Sequence, residues 1–176
     1  MKLHDPDKFV YKSYSKNFRD LFIKEKRKLK KFLPKNIKIE HIGSTAVPEM
    51  GGKGIIDIMI ITNKKELKKI LDLIKKNGYN YYGDGKNNRE RKFFDKLYRY
   101  RGKKRFVHVH LTFKGSSEVK KILALRDYLI THPDEVSKYA EIKKKVTKYS
   151  KGNRDKYLNY KKKFLEKLNT KALKAT

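Results

Sequence analysis

One short stretch of the chain combines residue types that could bind a phosphate and promote its transfer. It contains Gly43-Ser44, then Lys53, then Asp57 within the apolar run Ile55–Ile61. Backbone amides of a Gly-Ser turn can hold an anionic phosphate, and a carboxylate can hold a Mg²⁺ that bridges phosphates. A nearby lysine can meet the phosphates as a point charge. This combination predicts the chemistry of nucleotidyl transfer.

Asp57 is the residue of this stretch most strongly marked for function. A single carboxylate within an isoleucine-rich strand is costly to bury unless it is paired or binds a metal. A polymerase-type metal site normally has a second carboxylate two residues later, because alternate residues of a strand share one face. Met59 occupies that position here. The sequence therefore predicts a site with one clear carboxylate, which argues against two-metal catalysis.

Two histidines on another predicted strand are candidate partners of this carboxylate. His108 and His110 are two residues apart and so share one face of that strand. Together with Asp57 they could bind one metal as a facial triad. They could equally contact a phosphate, or be exposed strand histidines without a role in a site. The residues alone leave these alternatives open.

Other basic residues near the stretch could contact phosphate or serve structure. Arg91 enters a predicted strand from a polar loop and could hold a phosphate bidentately. Arg126 interrupts the apolar run Ile122–Ile130 and needs a partner, either Asp127 or a site carboxylate. A salt bridge from helix to sheet is the alternative for Arg126. Lys53 does not have the spacing of a Walker A lysine, and an ordinary solvated lysine is its alternative.

Hydrophobic periodicity predicts the elements that must position these residues. A first helix is expected over Ser15–Phe32, and a further helix is expected to open at Gly43-Ser44. A loop is expected at Gly83-Asp84-Gly85 with Asn87-Asn88. The other predicted elements are strands at Ile37–Ile42, Ile55–Ile61, Tyr79–Tyr82, Arg91–Tyr100 and Lys104–Phe113, a helix at Lys64–Lys76, and helices beginning near Ser116 or Ser117, Pro133 and Asn153.

These elements predict an α+β fold formed by a single domain over residues 1–176. The core is expected to be a mixed β-sheet, flanked by helices, over residues of about 35–115. A helical C-terminal part is expected over residues of about 116–170.

The charge of the chain points to anionic partners without identifying one. Lysine and arginine total 48 against 19 acidic residues, giving a net charge of +29. Such an excess attracts polyanions, so RNA or another polyanion is a candidate partner. Because the lysines are dispersed along nearly every segment, compositional bias is the alternative explanation.

Composition also excludes several protein classes. The chain has no cysteine, which excludes a disulfide framework and a cysteine-based zinc site. It has no run of about 18 apolar residues, and its first ten residues are too polar for a signal peptide. We therefore expect a soluble cytoplasmic protein without a membrane partner.

Several motifs, in order along most of the chain, resemble those of the GrpB family, which is grouped with the polymerase-beta-like nucleotidyltransferases. The chain departs from the family pattern at Gly54, where proline is usual, and at Glu49, where glycine commonly follows the Val-Pro pair. A hydrophobic residue at the Met59 position is typical of the family. The matching motifs are His41–Pro48, Lys53–Ile60, Arg91–Phe94, His108–His110, and Leu125–Leu129 with His132-Pro133.

The resemblance implies a nucleotidyltransferase-like protein that binds a nucleoside triphosphate (NTP) and Mg²⁺ or Mn²⁺. It implies nucleotidyl transfer to an unknown acceptor, with a non-catalytic nucleotide- or RNA-binding module as the alternative. Asp57 and Lys53 are the expected catalytic residues, and Asp57, His108 and His110 are the expected metal ligands. The expected substrate-binding residues are His41, Gly43, Ser44, Thr45, Arg91, His108, His110 and Arg126.

Overall fold

The computed structural model describes residues 11–85, 88–150 and 154–175. The predicted helix start at Asn153 lies outside these residues. The strands are β1 Lys38–Ile42, β2 Ile56–Thr62, β3 Asn80–Gly85, β4 Asn88–Tyr100 and β5 Lys103–Phe113. The helices are α1 Asn17–Lys30, α2 Leu67–Lys76, α3 Ser117–Thr131, α4 Pro133–Ser150 and α5 Arg154–Lys174.

The five strands form one mixed sheet in the order β1-β2-β5-β4-β3. β2 is antiparallel to β1 and parallel to β5. β2 lies inside the sheet with apolar residues packed on both of its faces, which explains its nearly continuous apolar sequence. The predicted α+β fold with a mixed sheet and flanking helices is confirmed.

Strand alternation divides the residues of β2 between two faces of the sheet. Ile58 and Ile60 join the main core, to which α1 and α2 contribute. Met59 and Ile61 pack with Ile42 against α3. Asp57 belongs to the same face as Met59, so its side chain lies on the α3 side of the sheet.

The C-terminal helices attach to the sheet through the connection between β1 and β2. Val47 and Met50 of this connection are buried with Leu129 of α3, Tyr139 of α4 and Leu168 of α5. α3, α4 and α5 therefore stand over the sheet face that carries Asp57. Within the described ranges, no helix combines the length and apolar character that crossing a bilayer requires.

Two predictions of local structure are wrong. Gly83-Asp84-Gly85 of the expected loop is the end of β3, which pairs with β4 through an irregular register, and Asn88 is the first residue of β4. Asn87 lies outside the described residues. Gly83, at φ +86°, accommodates this irregularity. The helix expected at Gly43-Ser44 is only a 3₁₀ turn, Ser44–Ala46. Val47 ends the turn in an extended conformation because the following proline disfavours helical geometry.

Candidate functional site

A cavity of about 340 Å³ lies between the Asp57 face of the sheet and the three C-terminal helices. Its apolar wall comes mainly from the helices and the β1–β2 connection. Among the described residues that line it, five are lysine or arginine and one is a carboxylate. The basic and acidic residues of the lining are Lys53, Asp57, Arg91, His108, His110, Arg126, Lys143 and Lys161.

Gly43 brings the β1–β2 connection into contact with Asp57. Its φ of +72° is a left-handed conformation, and a Cβ atom built there would lie 2.5 Å from Asp57 Oδ2. Only glycine allows this approach without displacement of the carboxylate. Ser44 and Lys53 also line the cavity. The structure therefore places these four residues together, and their role in binding remains a prediction.

The two strand histidines lie against the carboxylate. Asp57 stands opposite His108 in the register of β2 and β5. His108 Nδ1 donates to Asp57 Oδ1 at 3.1 Å, and His110 Nε2 lies 3.7 Å from the same oxygen. Burial alone would raise the pKa of Asp57, but the hydrogen bond from His108 and the nearby His110 imidazole outweigh it and lower that pKa. Asp57 is therefore an anion at neutral pH, and burial lowers the pKa of His110.

The facial metal triad of Asp57, His108 and His110 does not fit this arrangement. Both imidazoles approach the same oxygen of Asp57, so each of them is directed at the carboxylate itself. In the part of the chain that the structure describes, no three His, Cys, Asp or Glu side chains form a metal site. Mg²⁺ carried by phosphates keeps several waters and needs only one or two protein carboxylates. Asp57 alone fits that kind of ion.

Two lysines of the C-terminal helices reach the cavity. Lys143 of α4 is 5% exposed, and its Nζ donates to the carbonyl oxygen of Gly51 at 3.1 Å. Burial, together with the charge of Lys161, lowers the pKa of Lys143 to about 7. Burial also lowers the pKa of Lys161, on α5. The cavity therefore concentrates positive charge that is poorly solvated.

Neither lysine was identified as a site residue from the sequence, although a signal was present. Lys143 falls on the inward stripe of α4, three to four residues from Tyr139 and Val146. A lysine on an apolar helix face is uncommon unless it is paired or has a ligand. The same criterion applies to Lys161, which falls three residues before Phe164.

The two arginines of the cavity wall are held by carboxylates. Arg91 lies 3.1 Å from Glu118 Oε2 of α3. Arg126 of α3 donates at 2.7 Å both to Glu40 of β1 and to neighbouring Asp127. The alternative of a helix-to-sheet salt bridge is therefore present for Arg126. Both side chains still line the cavity, so phosphate contact remains a prediction for them.

His41 and Thr45, expected to bind substrate, do not line the cavity. His41 pairs with Ile58 in the sheet register and so points to the opposite face from Asp57. There its ring stacks on Phe22 of α1 at 4.5 Å, and burial lowers its pKa to about 4. Thr45 Oγ1 lies 3.0 Å from the His41 ring and donates to the carbonyl oxygen of Ile55. These residues brace the connection that carries Gly43.

Comparison with known proteins finds homologues that match most of the length of this chain. The family model described as GrpB protein matches residues 9–171. The UPF0157 protein YqkA of Bacillus subtilis is 36% identical over 135 residues, which cover 76% of this chain and 38% of that protein. The chain therefore spans well under half the length of this relative.

Solved structures give a close and a distant likeness. The crystal structure of the conserved protein GrpB from Enterococcus faecalis matches with a TM-score of 0.81 and 30% identity, covering 94% of this chain and 98% of that one. The Cid1 poly(U) polymerase matches with a TM-score of 0.42 and 11% identity, covering 74% and 44%. The second likeness is too weak to support an argument about this chain.

Proposed function

The chain belongs to the GrpB family, and from that premise we propose that it binds an NTP in the cavity and transfers the nucleotidyl group to an acceptor. One observation supports this proposal above the others. The lone carboxylate Asp57, the Gly43-Ser44 turn and five lysine or arginine side chains meet in one partly apolar cavity. A site of this composition suits an anionic ligand with an apolar part.

The triphosphate would lie against the cationic side chains of the cavity. Lys53, Lys143 and Lys161 provide positive charge from three separate segments of the chain. Because Lys143 is deeply buried, its interaction with a phosphate is screened less by water than that of a surface lysine. The nucleoside would occupy the apolar wall, to which Leu125 and Tyr139 contribute.

The reaction would be in-line attack of an acceptor hydroxyl on the α-phosphorus. The hydroxyl gives its proton to water, its oxygen bonds to the α-phosphorus, and the bond from that phosphorus to pyrophosphate breaks, which releases pyrophosphate. Lys143 and Lys161 would stabilise the negative charge on the phosphates, and the cavity would align the reacting groups. Asp57 would hold a Mg²⁺, which when bound neutralises phosphate charge.

A non-catalytic nucleotide- or RNA-binding module is the second candidate. It is favoured by Met59, which stands where a second carboxylate would, and by the contacts of Asp57 with His108 and His110. These contacts satisfy the carboxylate within the protein. A module of this kind would bind nucleotide or RNA without turnover.

Asp57→Asn distinguishes these functions. We expect NTP with Mg²⁺ to raise the melting temperature of the wild type, because a ligand that binds only the folded state stabilises it. Asp57→Asn should lose turnover and the Mg²⁺-dependent part of the shift, while the lysines keep the shift due to NTP alone. The measurement is thermal shift with each NTP, with and without Mg²⁺, together with a nucleotide-transfer assay.

The matched control is Asp72→Asn, which removes an exposed carboxylate of α2 on the opposite side of the sheet. It should leave both readouts unchanged. NTP binding without turnover in the wild type would favour the second candidate. Absence of any NTP-dependent shift would overturn the transferase and the nucleotide-binding form of the second candidate, and would leave only its RNA-binding form.

A further inference from the structure

The β4–β5 hairpin extends beyond the rest of the sheet. Among the described residues, β2 pairs with β5 only from Val107 onward, and β3 pairs with β4 only as far as Asp95. Residues Leu97–Tyr100 and Lys103–Phe106 therefore pair only with each other. We call these eight residues and the Arg101-Gly102 turn the arm.

The arm carries several positive charges, and their placement destabilises the hairpin. Arg99 and Lys104 stand directly opposite each other and are exposed, and like charges in such a pair destabilise a hairpin. Arg101 has a φ of +48° in the two-residue turn, where Asn, Asp or Gly is preferred. The arm also contains Lys103 and Arg105 and has no carboxylate. This arrangement is understandable if the arm meets a polyanion.

The two faces of the arm have different surroundings. Tyr98 and Tyr100 face α1, where Lys28 lies 5.0 Å and Lys24 lies 4.9 Å from the respective ring centroids. The other face carries the opposed pairs Leu97 with Phe106 and Arg99 with Lys104. Leu97 is 48% exposed, so this second face is accessible.

The accessible face of the arm continues into the cavity. Lys104, Phe106, His108 and His110 are alternate residues of β5 and so lie on one face of the sheet, the face of Asp57. His110 is six residue steps along the strand from Lys104, a distance of about 20 Å.

Asp95 lies on the same face between the arm and the cavity, but its negative charge is not exposed there. Asp95 is 6% exposed and accepts hydrogen bonds from Asn80 and Tyr82 of β3. Its charge is therefore held against β3 and away from the open surface.

We propose that this face of the arm binds a single-stranded nucleic acid whose end lies in the cavity. Arg99 and Lys104 contact phosphates, and Leu97 and Phe106 give apolar surface for the bases. The acceptor of the proposed transfer is then the terminal hydroxyl of the strand. That hydroxyl gives its proton to water, its oxygen bonds to the α-phosphorus and pyrophosphate is displaced, so the strand grows by one nucleotide. The acceptor role rests on the proposed function, whereas the binding of the strand does not.

Arg99→Gln with Lys104→Gln tests the binding surface. We expect its affinity for a labelled RNA of about 15 nucleotides to fall by about tenfold in about 50 mM salt. The slope of log affinity against log salt should shrink by about 1.4, because each lost phosphate contact on a single strand removes about 0.7. The control is Lys68→Gln with Lys69→Gln, an equal charge change on exposed positions of α2. Fluorescence anisotropy should place the control within about twofold of the wild type.

Removing the opposed like charges should not lower the melting temperature, so a folded arm variant is expected.

Equal losses in both double variants would overturn the proposal, because binding would then follow net charge. No RNA binding by the wild type, tighter binding to a duplex, or arm-dependent binding only to phosphatidylserine vesicles would also overturn it. Arm-dependent RNA binding without an NTP-dependent thermal shift would support the surface and remove the proposed function. An NTP-dependent thermal shift, together with RNA binding that the arm substitutions do not change, would support the proposed function and overturn the binding surface.

Discussion

Lys143 carries its ammonium group into the cavity from α4, where burial lowers its pKa to about 7. Its Nζ contacts the Gly51 carbonyl and lies 4.3 Å from the centroid of the Tyr139 ring. Water normally solvates a lysine far better than this environment does. The folded protein therefore keeps a costly charge at the place where the proposed phosphates would compensate it.

Lys143→Met should stabilise the unliganded protein by about 1 kcal/mol at pH 7 while weakening NTP binding. The folded pKa of Lys143 lies below its unfolded value of 10.5. Its folding penalty is therefore absent above about pH 10.5, grows as the pH falls, and is complete below about pH 7. Urea unfolding at pH 7 and at about pH 9 should show the larger gain at pH 7.

Lys145→Met is the control, because Lys145 is an exposed residue of the same helix. It removes the same charge without relieving burial, so its effect should depend little on pH in this range. A loss of stability in Lys143→Met at both pH values would contradict the expected penalty.

The β1–β2 connection is the element that joins the site to the helices. It brings Gly43 against Asp57, and its residues Val47 and Met50 pack under α3, α4 and α5. A change in its path would therefore displace both the turn and the cavity wall.

Gly43→Ala should lower the free energy of unfolding by about 3 kcal/mol. The new Cβ atom adds a clash with Asp57 Oδ2 to the strain of a left-handed alanine. Gly83→Ala is the matched control, because Gly83 has a φ of +86° but no atom within 4 Å of the added Cβ. It should cost only about 1 kcal/mol, the backbone part alone. Equal losses in urea unfolding would mean that the connection yields to the clash.

The whole molecule carries a net charge of +29, which opposes compaction through self-repulsion. We expect the melting temperature to rise by about 3–5 °C between about 0.05 and 0.3 M NaCl, because salt shortens the range of this repulsion. A scanning fluorimetry series would measure the shift. A melting temperature that stays constant or falls would show that repulsion is not what limits stability.

Anion binding in the cavity could produce the same rise, so a control is needed. Lys143→Met with Lys161→Met removes two cavity cations and leaves most of the surface charge. General screening predicts that the rise persists in this double variant.

The sequence predicted most of the fold because periodicity depends on near neighbours. The apolar run of β2 and the stripe of α1 each indicate an element by themselves, and both were placed within about two residues of the observed bounds. The loop prediction at Gly83–Gly85 was wrong because the strand conformation of these residues depends on pairing with β4. The prediction of a helix at Gly43-Ser44 was wrong because Pro48 limits it to a single 3₁₀ turn.

By itself, the sequence determined the kinds of elements, the placement of Asp57 within an apolar strand and the cationic excess. The tertiary structure decided which residues share the cavity. It turned His41 to the α1 face, set both histidines of β5 against Asp57, and added Lys143 and Lys161 from the last two helices. The physical reason is that a local pattern follows from adjacent residues, whereas a site depends on strand register and helix packing between distant segments.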